Sequence, residues 1–470
     1  MNQISSRAFN KEDIILDTKF LAIDLGSGKI CVAIAEVKNG EPKIIGFSTH
    51  KSDGISKGYI TNIELAKSVV RLCIEEAKRM AGVDEINKAT VSISGNHADS
   101  LTSHGVVNVS NTDISEKEIK RAFIAALTNA SIPTDSEIIH ILPYCFKLDD
   151  QEVEDPAGMS GYRLEVFVRI IIAKKTYIDN IKKTIKNTGA DVEQIVLGSY
   201  AAAISTLEDD EKKLGVACID MGGGTCDLVI FMGNYMRYNK TLGVGSRNIT
   251  MDLAQLISAD ENVCEEIKVK HADPDPAYET DEILSVKVFK AESIDVEVKT
   301  INEIVRARCT ETFNLLGEFI KNSGINSHIY SIVLTGGMTK LKNIKTIAEK
   351  LLPGKIRIVK PSKISSVENS IIDEENAVVM GLIAYSVGNH AAYEVDCNKN
   401  LRCRAKTDSS YMDTPYNKAH FGNQFEQEGT DLRNLADLNL KKESRAGIIQ
   451  TKQQKNSTFS WIKQLANKLF

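Results

Sequence analysis

The stretch Asp220-Met221-Gly222-Gly223-Gly224-Thr225-Cys226-Asp227 constrains this chain more than any other. An apolar run, residues 214–219, leads into it, and another, residues 228–232, leads out. Two such runs on either side of a glycine cluster predict two strands joined by a tight hairpin. Three successive glycines strip every Cβ from the turn, so backbone N–H groups can approach an anion closely. Asp220 ends the first strand, where a carboxylate can hold a metal-bound water, and Thr225 can add a hydroxyl donor. Taken alone, the same residues also suit an ordinary glycine-rich hairpin.

They do not stand alone. Phe20-Leu21-Ala22-Ile23 predicts a strand, Asp24-Leu25-Gly26-Ser27-Gly28-Lys29 a small-residue turn, and residues 30–35 a second strand. A third device, Ile332-Val333-Leu334-Thr335-Gly336-Gly337-Met338, runs a strand into paired glycines and then a helix. A strand, an aspartate, a glycine turn and a strand, met twice about two hundred residues apart, imply an internal duplication. The natural product of such a duplication is a nucleotide held between two related α/β lobes.

Composition narrows the setting. With 58 basic and 63 acidic residues the net charge is −5, so nothing global favours nucleic acid. Nine cysteines contain no Cys-x-x-Cys pair, which fits reduced thiols in a cytosolic protein, and the eight histidines make no zinc-ligand spacing with them. No apolar h-region opens the chain, and no apolar run reaches the ~18–20 residues that span a bilayer.

The three glycine devices resemble the two phosphate motifs and the adenosine motif shared by actins, heat-shock chaperones and sugar kinases. Asp155-Pro156-Ala157-Gly158-Met159-Ser160-Gly161, Glu266-Ile267-Lys268-Val269-Lys270-His271 and the terminal Ser460-Trp461-Ile462-Lys463-Gln464-Leu465 narrow the resemblance to the FtsA family of bacterial actin-like cell-division proteins. It spans residues 18–392 and resumes over the last dozen. The fold so implied is α/β and actin-like (ribonuclease H-like), with duplicated lobes around a nucleotide cleft. The resemblance implies ATP and Mg²⁺, the metal organised through water by Asp24 and Asp220. Ser27, Gly28, Lys29, Gly222, Gly223, Gly224 and Thr225 would cradle phosphates, with Gly245 and Ser246 meeting them from the second lobe. Gly336, Gly337 and Met338 would line the adenine side, and Glu265 and Lys268 the ribose. Read from residues alone, Glu265 and Lys268 make an i,i+3 salt bridge on one helix face.

The same resemblance divides the chain. Residues 1–17 are a loose leader; 18–96, 174–212 and 376–392 form the first lobe; 213–247 and 323–375 the second; 248–322 a small subdomain. Residues 97–173 read as a small α/β insert with its own strands and a helix entered through Ser115 and Glu118. In the family this insert contacts the neighbouring protomer and other divisome proteins, and the small subdomain receives the C-terminal peptide of FtsZ. Other expectations are local: a helix capped at Thr61, a long helix over 293–321, and a polar, disordered linker over 393–456. Where related proteins place a Glu or Gln that orients the attacking water, this chain has Gly198. Only Ser199 and Tyr200 offer hydroxyls nearby, and neither is a good base near neutral pH. Hydrolysis is therefore expected to be slow at most, since a positioned base is worth ~10²–10⁴-fold.

Residues 457–470 predict an amphipathic helix without any family knowledge. Phe459, Trp461, Ile462, Leu465, Leu469 and Phe470 share one face, while Lys463 and Lys468 lie on the other. There is no acid, and the chain's single Trp is here. Such an element suits an anionic membrane interface, binding weakly alone and strongly when many copies are joined in a polymer. The expected protein is thus an ATP-binding polymer-former at the cytoplasmic face of the membrane, at the division site. A pilus-assembly scaffold of the PilM type and a sugar-type kinase are the rival readings on the same fold.

Overall fold

The computed structural model describes residues 18–38, 41–109, 113–186, 188–278, 280–287 and 293–404. The expected leader, most of the expected linker and the terminal amphipathic segment with its membrane-facing residues lie outside these.

The first lobe is built on a six-stranded sheet. Its order is Asp191–Leu197, Lys88–Ile93, Thr18–Leu25, Lys29–Lys38, Glu41–Lys51 and Ser365–Ser366. Thr18–Leu25 runs antiparallel to Lys29–Lys38 and parallel to Lys88–Ile93. Cys31 to Ala35 are buried without a break because helices cover both faces of the sheet. One face takes the helix Ile63–Ala81, whose Ala66, Val70, Cys73, Ile74 and Ala77 point inward. This helix starts one residue later than expected: the side chain of Asn62, not Thr61, accepts from the Leu65 N–H, and Gly82 at φ 63 closes the other end. The other face takes two short helices, Gly198–Thr206 and Ala377–Ser386, buried nearly all round. They touch at Gly381, where a Cβ would lie 1.8 Å from the Ala201 carbonyl oxygen.

The second lobe repeats the pattern. Its sheet runs Tyr235–Leu242, Cys226–Met232, Val216–Met221, Ser331–Thr335, Lys355–Ile358, again a hairpin beside a parallel strand. Successive side chains of a strand face opposite ways, and both faces of this sheet are used. Val216, Cys218 and Val229 join the first-lobe core, whereas Ala217, Ile219 and Leu228 join the core of the small subdomain. That subdomain holds the helices Ser246–Ile257, Glu261–Lys270 and Val298–Asn322 and a two-stranded hairpin. The long helix begins at 298 rather than 293, because Ile294–Glu297 alternates and pairs antiparallel with Ile283–Val286.

The insert is a six-stranded sheet: five strands run in the order Leu401–Cys403, Tyr393–Val395, Ser136–Leu148, Arg163–Lys174, Ala98–Asn108, the short strand Gln151–Val153 pairs with the end of Ser136–Leu148, and the helix Glu116–Asn129 packs on the sheet. Ser115 and Glu118 form the expected capping box. Residues 393–404, expected to open a disordered linker, instead supply two strands of this sheet. The reason is a buried polar network no local pattern reveals. Glu394 accepts from the hydroxyls of Tyr385 (2.7 Å) and Tyr200 (3.2 Å), and meets His140 Nδ1 at 2.7 Å. His140 Nε2 accepts from the Leu197 N–H, so Nδ1 carries the ring proton and donates to Glu394. A buried carboxylate satisfied by three donors can stay inside. It ties the insert and the strand Tyr393–Val395 to the two buried helices.

Candidate nucleotide-binding site

The two hairpins face each other across a cleft of about 400 Å³. Their tips meet. A Cβ on Gly223 would lie 3.0 Å from Gly28 Cα, and one on Gly224 would lie 2.8 Å from Ser27 Cβ. The glycines therefore do two jobs: they bare N–H groups, and they let two backbones come within contact of each other.

Asp24, Ser27, Gly28, Lys29, Asp220, Gly222, Gly223, Gly224, Thr225, Ser246, Glu265, Lys268, Gly336, Gly337 and Met338 all line this one cleft. Gly245 does not; it stands a layer behind, where a Cβ would lie 2.6 Å from the Gly222 and Gly223 carbonyl oxygens. The next two N–H groups, of Ser246 and Arg247, donate to those carbonyls. Gly245 thus packs behind the glycine turn and supports it.

The wall of the cleft is acidic and its carboxylates are buried. Asp24 accepts from Ser92 Oγ at 2.7 Å, and Ser92 in turn accepts from the Leu25 N–H. Burial raises the Asp24 carboxyl above its usual range, with Ser92 and Lys29 pulling the other way. Asp220 is pushed up to about 8, by burial first and then by the nearby Asp227 and Asp24. Asp227 sits directly opposite Asp220 in the hairpin register. It accepts from Thr225 Oγ1 (2.7 Å) and Thr241 Oγ1 (2.6 Å), and burial raises it as well. Thr225 therefore spends its proton on Asp227 and presents lone pairs to the cleft, not the donor expected. Ser27 Oγ accepts from the Gly58 N–H at 2.6 Å, so its own proton is available to a ligand.

Glu265 and Lys268 make the expected salt bridge and also stand in the cleft wall. They pair at 2.7 Å, and Lys268 also reaches Thr250 Oγ1 and the Ser246 carbonyl, yet both line the cleft. Gly198 opens onto the same space, as does Ser199. Tyr200 turns away to Glu394, so of the two nearby hydroxyl residues only Ser199 lines the cleft. A Cβ on Gly198 would make only ordinary contacts, at 3.5 Å or more.

Among the cleft residues that escaped the sequence reading are Ser92, Asp227, Lys340 and Glu375. Asp227 carried a usable signal, since a hairpin turning on 222–225 sets it across from Asp220. Glu375 carried none, because Asp373-Glu374-Glu375 reads as a solvated acidic run.

Two duplicated lobes over a carboxylate- and glycine-lined cleft, with a small α/β insert in the first, define an actin-like protein. Sequence comparison agrees and goes further. A family model described as "SHS2 domain inserted in FTSA" matches residues 95–172, and one described as "Cell division protein FtsA" matches residues 217–381. The cell division protein FtsA of Helicobacter pylori is 36% identical over 455 residues, covering 89% of this chain and 91% of its own length. That of Pseudomonas aeruginosa is 32% identical over 374 residues, covering 78% and 89%. The chain belongs to the FtsA family of cell-division proteins. A solved PilM-PilN type IV pilus biogenesis complex shares the fold at a TM-score of 0.58 and 14% identity, covering 79% of this chain and 99% of that one. At that identity the likeness is one of fold alone. No helix among the described residues is long and apolar enough to cross a membrane.

Proposed function

We propose that this protein binds ATP with Mg²⁺ in the cleft, self-associates as an actin-like polymer, and tethers FtsZ filaments to the cytoplasmic face of the membrane. One observation carries the reading: the two duplicated turns bring Asp24 and Asp220 into a single buried cleft with the phosphate-type glycines and Lys29. Three buried carboxylates with raised pKa values make a wall short of positive charge, and oxygen-only donors suit a hard cation. Among the described residues no three acidic, histidine or cysteine side chains converge as chelators, so Asp24 and Asp220 would hold Mg²⁺ through water. The cation would supply charge neutralisation to the phosphates. Lys29 and the bared N–H groups would meet the phosphate oxygens, and Glu265 and Lys268 the ribose. Gly198 leaves no base beside the phosphates, which favours a bound, slowly hydrolysed nucleotide. The basic, apolar-faced segment 457–470 would lie on anionic lipid. FtsZ's C-terminal peptide would dock on the small subdomain, and other divisome proteins on the insert.

Sedimentation with anionic lipid vesicles tests the whole. The full chain should pellet with vesicles in Mg·ATP, carry an FtsZ tail peptide with it, and lose vesicle binding when 459–470 is deleted. Undiminished vesicle binding by the deletion, or no dependence on nucleotide, would defeat the reading.

A further inference from the structure

The hinge between the lobes carries a chain of charges that the phosphate motifs do not explain. The short 3-10 turn Glu374–Asn376 leads into the first-lobe helix Ala377–Ser386. The second lobe grips the backbone of this turn: the Gly336 N–H (2.9 Å) and Thr335 Oγ1 (3.1 Å) both donate to the Glu374 carbonyl. The first lobe grips its side chains: Lys29 Nζ donates to Asn376 Oδ1 at 2.7 Å. Asn376 is buried, and its Nδ2 donates to the Ile371 carbonyl, so its oxygen is held toward Lys29.

Glu375 lies between the two grips. One carboxylate oxygen is 3.3 Å from Lys29 Nζ of the first lobe, and the other is 3.0 Å from Lys340 Nζ of the second. Lys340 is anchored in turn by Asp373 at 2.7 Å. Lys29, Lys340 and Glu375 all line the cleft. Burial alone would raise the Glu375 carboxyl, but Lys29 and then Lys340 outweigh it and hold it below its usual range. An ammonium has three donors. With Asn376 and Glu375 taking two from Lys29, the third is left for a ligand in the cleft.

We propose that Glu375 is a positioning residue and a clasp: it aims the Lys29 ammonium into the cleft and, through Lys340, fastens the lobe bearing Gly336 and Gly337 to the lobe bearing Lys29. The role rests on the nucleotide reading given above and adds a residue to it. Without the clasp the lobes part more often and a bound nucleotide escapes sooner. Partly exposed ion pairs are individually weak, so two of them joined at one carboxylate should change release by about three- to tenfold, not abolish binding.

The experiment uses the full chain with Mg²⁺ and a fluorescent ATP analogue, and measures release by stopped-flow displacement for the wild type, Glu375→Gln, Lys340→Met and the double variant. Each single change should speed release about three- to tenfold. The double variant should be no faster than the faster single, because both act on one clasp. The difference should shrink at 0.5 M salt, a condition that screens a charge pair and spares a packing defect. A second measurement needs no nucleotide: hydrogen exchange at residues 336–341 should be faster in Glu375→Gln than in the wild type. Wild-type release rates in Glu375→Gln, or singles that multiply in the double variant, would overturn the clasp. If the wild type bound no nucleotide, the function proposed above would fail instead, and the exchange comparison alone would decide the clasp.

Discussion

The two hairpins that meet at the cleft are built alike and partnered differently. In the first lobe, Asp24 is held by Ser92 and stands near Lys29. In the second, Asp220 faces another carboxylate, Asp227, across the strand pair, and the two threonine hydroxyls at that end donate to Asp227 instead. Duplication thus copied the backbone and not the electrostatics. One aspartate is partly satisfied by a hydrogen bond from the protein itself, although burial still raises it. The other is left in a form that only a proton or a cation can satisfy, which is how a site becomes dependent on its metal.

The largest expected effect separates these roles. Asp220→Asn should weaken Mg·ATP binding by about a hundredfold, roughly 3 kcal/mol, by removing the charge that holds the cation's water. The same change should leave the empty protein at least as stable, since it relieves a buried carboxylate. Asp24→Asn should also weaken binding, but it disturbs the Ser92 bond and should lower the stability of the empty protein by about 1 kcal/mol. Calorimetric titration and thermal unfolding of both variants check this. Equal stability losses in the two would erase the contrast.

Acidity gives the next effect. Asp220 lies above its unfolded value of 3.8, at about 8 in the folded protein. The folded state therefore keeps a proton that the unfolded chain releases, and this group's contribution to stability is lost as pH rises from about 4 to about 8. The stability advantage of Asp220→Asn over the wild type, without nucleotide, should therefore grow by something on the order of 2 kcal/mol between pH 5 and pH 8. Mg·ATP should remove the trend by supplying the cation. Urea unfolding at several pH values measures it; an advantage flat with pH would mean that Asp220 is ionised and satisfied without metal.

Much of this contrast could be read from residue order. Strand, aspartate and glycine turn, found twice, place both carboxylates at one end of two related sheets, and hairpin symmetry would have placed Asp227 as well. What stayed hidden depends on partners far away in sequence. Glu394, Asp396, Asn398 and Lys399 look like linker, and Glu394 can be buried because His140, Tyr200 and Tyr385, brought from three other elements, hydrogen-bond to it. Residues 294–297 suit a strand or a helix start equally, because Ile294 and Val298 also keep helical spacing; the neighbouring strand decided. Lys340 and Glu375 meet only because the hinge folds back over the adenosine-type turn.

The smallest effect tests whether the glycines serve the ligand or the meeting of the tips. A Cβ on Gly223 would lie 3.0 Å from Gly28 Cα and 3.1 Å from Gly28 N, both backbone atoms that cannot turn aside. A Cβ on Gly28 would lie 3.6 Å from Gly223 Cα, an ordinary contact. Neither residue has the positive φ that would add strain of its own. Gly223→Ala should therefore push the hairpins apart by a few tenths of an ångström, cost about 1–2 kcal/mol of stability, and weaken nucleotide binding severalfold. Gly28→Ala should stay within about 0.5 kcal/mol of the wild type in stability. If both glycines served only to bare N–H groups to phosphate, the two alanines would harm binding equally and leave the empty protein's stability alone. The order of the two melting curves, taken before any nucleotide is added, separates the explanations.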